Sequence, residues 1–444
     1  MRLGRLVLIA SPAALLCATA LAAPAAAAER QVTLKEGPFE VGAYSVRTGL
    51  GLARTPALDG FITHMEADVV DVRTGKAVPI DRIMLHHIVF ADLGPPDAPR
   101  RQAFYGDGEE RAKMDLPPGY GYPIAKADRW GFVWMLMNHR KAADKVYIRY
   151  RMTIEDERRL LPVVPMAWDT SRGRQGLVFD VPGGSRGDDV RTHVREMPFA
   201  GRIIAGLGHV HGGAKGLALT QPGCGDRTIY ASRPTWGERD HAFYRVRPVL
   251  HEPGPIAMSR FTSARGIPVV AGQRVKLTSR YDGTRPHTRV MGLLLAYVAP
   301  DASVTDGCGP MPRDVQTLDT GMPGRARTPT VDLGLYDWTP GGDARRVGGP
   351  SSPLRRFDGP ADVRVVDTAF RAGNISVPRG ARVRWTFAAA QRHNVTLASG
   401  PEGFSSDRMQ GAATFEKTFT KAGTYRLFCE LHPVGMIQRV VVRR

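Results

Sequence analysis

An all-β chain built of antiparallel sandwiches is the fold class this sequence predicts, and three observations carry that prediction. Short β-branched or aromatic runs recur at regular spacing, among them Lys145 to Ile154, Arg202 to Leu207, Val275 to Tyr281 and Val290 to Val298. Gly and Pro punctuate the intervals between them. No long stretch shows the 3.6-residue period of an amphipathic helix. The 444 residues are 43% hydrophobic and 23% charged, an ordinary globular composition that excludes disorder or a fibrous architecture for most of the chain. At roughly 100–200 residues per domain, the length predicts two to four domains.

Lys+Arg number 61 against 43 Asp+Glu, a formal charge of +18. The excess is Arg scattered along the chain, without basic blocks or interleaved aromatics. Nucleic acid is therefore not expected as a partner, and the charge reads as a solvated basic surface near a cell wall or membrane.

Met1 to Arg5 carries two Arg, Leu6 to Ala23 is almost wholly apolar, and Ala26-Ala27-Ala28 offers small residues before Glu29. Residues 1–28 read as a secretory signal peptide, so the expected location is secreted or periplasmic. No later stretch is apolar for long enough to span a membrane, so the mature chain is expected to have no transmembrane segment. Cys17 falls inside the signal, which leaves Cys224, Cys308 and Cys429. An odd count in an oxidising compartment asks for one bonded pair and one thiol with another use. Cys224 and Cys308 both sit in turn-like Gly-Cys-Gly contexts and are expected to pair, which leaves Cys429 over.

Pro, Gly and Arg dominate residues 309–359, which read as a linker. Alternation resumes from residue 360 to 444, enough for one small sandwich. Within it, Tyr425-Arg-Leu-Phe-Cys429-Glu-Leu-His432-Pro-Val-Gly-Met436 follows His393 of Gln-Arg-His-Asn-Val. A thiolate, two imidazoles and a weak thioether are the ligand set of a blue-copper electron-transfer centre. One loop leaving a strand can bend Cys429, His432 and Met436 round an ion while His393 arrives from another strand. With Val377-Pro-Arg-Gly-Ala-Arg-Val-Arg-Trp385 and Ala422-Gly-Thr-Tyr, this segment resembles the plastocyanin-like cupredoxins, which implies a Greek-key sandwich holding type 1 copper.

Five more of the twelve histidines fall in three motifs: Met84-Leu-His86-His87-Ile-Val-Phe90, Met137-Asn-His139, and Gly206-Leu-Gly-His209-Val-His211. Alternate residues of a strand project to one face, so His209 and His211 can reach one ion. Adjacent His86 and His87 face opposite sides unless their strand bends. His64, His193, His241, His251 and His287 lie in no such motif and receive no role.

In order, and together with Leu116-Pro-Pro-Gly-Tyr-Gly-Tyr-Pro-Ile and Gly266-Ile-Pro-Val-Val-Ala-Gly-Gln-Arg-Val to Met291-Gly-Leu-Leu-Leu-Ala-Tyr297, these motifs resemble the copper type II, ascorbate-dependent monooxygenases, the family of peptidylglycine α-hydroxylating and dopamine β-monooxygenases. The resemblance covers about residues 35 to 300. It implies two jelly-roll-like antiparallel sandwiches, residues 29–165 and 166–308, with two coppers facing each other across a solvent-filled cleft. His86, His87 and His139 would hold the electron-storing copper. His209, His211 and Met291 would hold the copper that meets O2, where a soft thioether favours Cu(I). Leu207 and Leu295 stand where the peptide-amidating members have an Arg and a Tyr, which points away from a glycine-extended peptide substrate.

The expectation is thus an exported copper-dependent oxidoreductase with one type 1 and two further coppers. The cupredoxin would pass electrons from an external donor to a monooxygenase-like centre that uses O2 to hydroxylate a small molecule or polypeptide. The alternative is a non-catalytic extracellular protein that stores copper or carries electrons.

Overall fold

The computed structural model describes residues 29–98, 101–155, 160–173, 175–238, 241–318 and 329–444. The expected signal peptide, residues 1–28, lies outside them. The fold is all-β, as the sequence predicts. The one α-helix among the described residues is the single turn Ala242–Arg245.

The first sandwich faces a sheet ordered Arg30–Val41, Asp144–Glu155, Gly60–Asp71, Tyr120–Ile124 and Leu161–Pro162 against one ordered Val46–Ala53, Trp130–Asn138, Ile83–Asp92 and Gln102–Gly108. Asp144–Glu155 shows why such a segment is a strand. Val146, Ile148, Tyr150 and Met152 are buried on one face. Arg149 and Arg151 project from the other, 2.5 and 2.6 Å from Asp68 and Glu66 of the neighbouring strand.

The chain crosses at Val164–Asp169 into the second sandwich. There a sheet built on Gly201–Val210, Gly292–Pro300 and Arg260–Val269 faces one built on Ala214–Gln221, Arg274–Asp282 and Asp188–Glu196. Leu207, Leu295 and Tyr297 of the second sandwich belong to the apolar core of the first. The Tyr297 hydroxyl donates to the Phe104 carbonyl at 2.9 Å. Cys224 and Cys308 form the expected disulfide, with Cα atoms 5.3 Å apart.

The third sandwich extends beyond its expected bounds. Three short strands of the expected linker join its sheets: Leu335–Trp338 pairs with His432–Arg443 and with Ala344–Val347, and Arg355–Arg356 pairs with Asn374–Pro378. Leu335 and Tyr336 are buried, and that burial is what turns a Gly- and Pro-rich stretch into structure. Residues 309–359 are therefore not a plain linker; part of that stretch, 319–328, lies outside the described residues.

This third unit is docked on the second. Asp180 accepts from the Ser405 N–H and hydroxyl at 2.9 and 2.8 Å. The Thr288 hydroxyl donates to the Leu397 carbonyl at 3.1 Å, and the Gly403 N–H to the Pro182 carbonyl at 2.8 Å.

Two tests follow from this architecture. The disulfide closes a loop of 84 residues, so replacing Cys224 and Cys308 together by Ser is expected to lower stability by about 2–4 kcal/mol, read from denaturant unfolding. Asp115 of the first sandwich is bonded to His64 and to Arg260 of the second. Burial works to raise its pKa, but the His64 and Arg260 bonds hold it down at about 2, against an ordinary 3.8. Its contribution is present above 3.8 and lost as pH falls towards 2, so Asp115→Asn should flatten the acid limb of the stability curve in that window.

Candidate metal centres

In the third sandwich, Cys429 ends the strand Gly423–Cys429, and the register shifts between Phe428 and Cys429 before His432 opens His432–Arg443. His393 is pinned by paired backbone bonds with Met409, both 2.8 Å. The Cys429 Sγ lies 3.8 Å from Nδ1 of His393 and 3.8 Å from Nδ1 of His432. Met436 is buried in the same apolar cluster as Cys429. Asn394 joins the two ligand loops, since its side-chain Oδ1 accepts from the Glu430 N–H at 2.9 Å.

Burial pushes the Cys429 thiol up to about 11 and lowers the pKa of both imidazoles. Without an ion the ligands are therefore neutral, and the thiolate forms as a metal displaces its proton. Two imidazole nitrogens aimed at one buried sulfur, with a thioether in the same cluster, fit copper.

The other expected ligands meet where the first two sandwiches abut. The register of Ile83–Asp92 shifts between Leu85 and His87, and this β-bulge is the bend that adjacent His86 and His87 require. Their Nδ1 atoms stand 3.1 Å apart. His209 and His211 project to one side, as alternation predicts, and their Nε2 atoms are 3.2 Å apart. Facing ring nitrogens at these separations are what two ligands take round one ion at about 2.0–2.1 Å.

The remaining nitrogens are held from behind, as in metal sites generally. His209 Nδ1 is 2.8 Å from Glu110, and His211 Nδ1 is 3.0 Å from the Arg289 carbonyl. Gly108 makes room for this, since a Cβ there would fall 2.7 Å from the His209 ring. Burial, reinforced by neighbouring imidazoles, lowers the pKa of His86 and His211 well below the usual range. Burial and then Arg408 take His87 down to about 3. Burial also opposes charge on His209, but Glu110 outweighs it and raises the pKa.

Two features of the expected arrangement are corrected. The pairs do not face each other across an open cleft: the His86 and His211 rings meet edge to face with centroids 4.8 Å apart. The bulge turns His86 towards the second sandwich, whose residues are packed into the core of the first. His139 meets the His251 ring instead, at 6.4 Å. The Asn138 amide bonds to the carbonyls of Val41, Gly42 and Ala142, which turns the chain out of the sheet just before His139. Met291 is buried and lines the same cavity as His209 and His211.

That cavity has a volume of about 530 Å³ and also takes residues from the third sandwich, Arg408, Phe428 and Glu430. Glu430 lies 2.6 Å from Arg289 of the second sandwich and 2.5 Å from Arg408. A guanidinium nitrogen of Arg408 reaches the Met135 sulfur of the first sandwich at 3.6 Å. Sequence reasoning missed Glu109, Glu110, His251, Arg289, Arg408 and Glu430. The only local trace is the adjacency of Glu430 to Cys429.

Residues 183–301, within the second sandwich, match the family described as Stress up-regulated Nod 19, a name that says nothing of hydroxylation. Residues 360–443 match the copper binding proteins of the plastocyanin/azurin family. Among solved structures, an oxidized amicyanin mutant is 28% identical, covering 18% of this chain and 80% of its own, with a TM-score of 0.18. A Cu(I) amicyanin mutant is 31% identical over 20% of this chain and 85% of its own, TM-score 0.18. The purple cupredoxin from Nitrosopumilus maritimus is 21% identical over 19% of this chain and 99% of its own, TM-score 0.16. With its Cys429, His393 and His432 converging and its sequence matched from 360 to 443, the carboxyl-terminal domain of this chain belongs to the plastocyanin/azurin family of copper-binding cupredoxins.

Proposed function

We propose that this is an exported copper oxidoreductase in which the cupredoxin passes electrons to the buried histidine cluster, where O2 is used to hydroxylate a C–H bond. One observation carries the proposal. Glu430, the residue after Cys429, lines the cavity that holds His87, and arginines from two different sandwiches fix it there. Copper held by His393, Cys429, His432 and Met436 would supply one-electron chemistry at potentials set by its ligands.

The chain's own residues do the rest. Glu430, Arg289 and Arg408 hold the Cys429 loop against the cluster. Burial keeps His86, His87 and His211 neutral at physiological pH, the state in which imidazole donates to a metal, while Glu110 holds His209 Nδ1 and leaves its Nε2 towards His211. Met291 adds a soft thioether to the wall beside His209 and His211. Leu207, Leu293 and Leu295 give the cavity an apolar wall. Inserting one atom of O2 into a C–H bond takes two electrons and two protons and yields one water, so an external donor must reduce the cupredoxin twice per turnover.

A second reading is favoured by the contact between the two histidine pairs: imidazoles packed this closely also suit storage or delivery of copper. Oxygen uptake in the presence of reductant separates the two.

The relay is tested by loading the full chain with copper, reducing the blue centre and admitting O2. The blue absorption is expected to return as electrons leave for the cluster; a centre that stays reduced while the cluster does not turn over rejects the relay. Glu430→Gln keeps the shape but not the charge and should slow that return about tenfold or more, with the blue band itself retained. Cys429→Ser should abolish the blue band and lose one copper per chain. Glu110→Gln should weaken copper binding at His209 and His211 about 10–100-fold, read by equilibrium competition with a chelator.

A further inference from the structure

We propose that His86, Glu109 and His251 bind a divalent transition-metal ion of their own, beside the His86–His87 pair and sharing His86 with it. The geometry is already that of a ligand set. Glu109 Oε1 lies 3.3 Å from His86 Nε2 and 2.7 Å from His251 Nε2. All three donor atoms fall within 4.8 Å of one another.

Glu109 is aimed rather than mobile. Its other oxygen accepts the Gly254 N–H at 2.6 Å. That approach needs glycine, since a Cβ on residue 254 would come 2.8 Å from the same oxygen.

Charge balance separates this from an ordinary hydrogen-bond cluster. Glu109 is only 4% exposed, and among the described residues no Lys or Arg pairs with it; its ion-pair partners are the two imidazoles. A carboxylate buried among uncharged groups is costly unless a cation joins it. Glu430, in the cavity beside this cluster, has two arginines.

A second observation lies behind His251. His251 Nδ1 is buried without a hydrogen-bond partner, and the His139 ring packed beside it is 6% exposed. Such a nitrogen is exceptional in a folded core, and here it belongs to the ring whose other nitrogen meets Glu109. Two imidazoles and a carboxylate form a borderline donor set that suits Zn2+, Cu2+ or Fe2+. If ions occupy both sides of His86, its single ring proton must leave to solvent.

In the competing arrangement Glu109 only orients His86 for the His87 side, and His251 is a bystander. The distinction does not depend on the electron relay. The full chain, with copper already in the Cys429 site, is titrated with Zn2+ and the metal counted by elemental analysis after gel filtration. His251→Ala and Glu109→Gln are each expected to bind one Zn2+ fewer than the parent. His87→Ala should keep that equivalent, and an unchanged blue band reports the fold. The proposal is overturned if His251→Ala binds as much Zn2+ as the parent, or if it and His87→Ala lose the same equivalent, so that the double variant loses no more than either. Should His251→Ala lose the blue band, His251→Asn is read in its place against the same two outcomes.

Discussion

A carboxylate cannot stay ionised in an apolar interior without a countercharge; Glu109 and Glu110 are buried where the first two sandwiches meet, and Glu430 lines the cavity beside them, largely shielded from solvent. Where each finds its partner decides how the three sandwiches fit together. Glu430 draws Arg289 from the second sandwich and Arg408 from its own, and so fixes the cupredoxin against the rest. Burial opposes charge on it, yet the two arginines still hold its pKa below the usual carboxylate value. Glu110 draws His209 across the boundary between the first two sandwiches. Glu109 bridges the same boundary to His251.

These contacts have a cost and a consequence. Desolvating an ion pair offsets much of its Coulomb gain, so the pairs add less to stability than to specificity. Leaving one partner unpaired is what is strongly unfavourable, which penalises any arrangement of the cupredoxin that separates Glu430 from its arginines. The same desolvation keeps His86, His87 and His211 neutral. One apolar enclosure therefore does two things: it fixes the geometry between domains, and it sets the protonation state that metal binding requires.

Much of this was legible in the sequence, and the rest was hidden for definite reasons. The all-β class followed from short alternating runs, as in Val146 to Met152, where the period of two is local. The Cys429, His432 and His393 cluster was legible because a thiol and imidazoles at close spacing have few other uses. The facing of His209 and His211 followed from alternation alone. The bulge at His86 was not legible, because an extra residue in a strand leaves no mark in composition. The strand Leu335–Trp338 was masked by its Gly- and Pro-rich surroundings, although Leu335 and Tyr336 are apolar. Glu109, His251 and Arg289 owe their place to contacts between residues far apart in the chain, for which one sequence carries no signal.

The docked cupredoxin also changes how the fusion must be understood. A tethered carrier would act through effective concentration, which falls slowly as a flexible linker lengthens. Here the stretch between the modules adds strands to the cupredoxin sheet, and Trp338 packs on Tyr44 of the first sandwich with ring centroids 5.7 Å apart. The cavity wall itself is completed by Arg408, Phe428 and Glu430. Docking the cupredoxin and completing the cavity wall thus go together, and under the proposed relay the path from Cys429 to His87 would have a fixed length instead of a distribution of lengths. On the proposed relay, the cluster's access to an electron would be set by packing at Arg289, Glu430 and Arg408, and not by diffusion of a tethered domain.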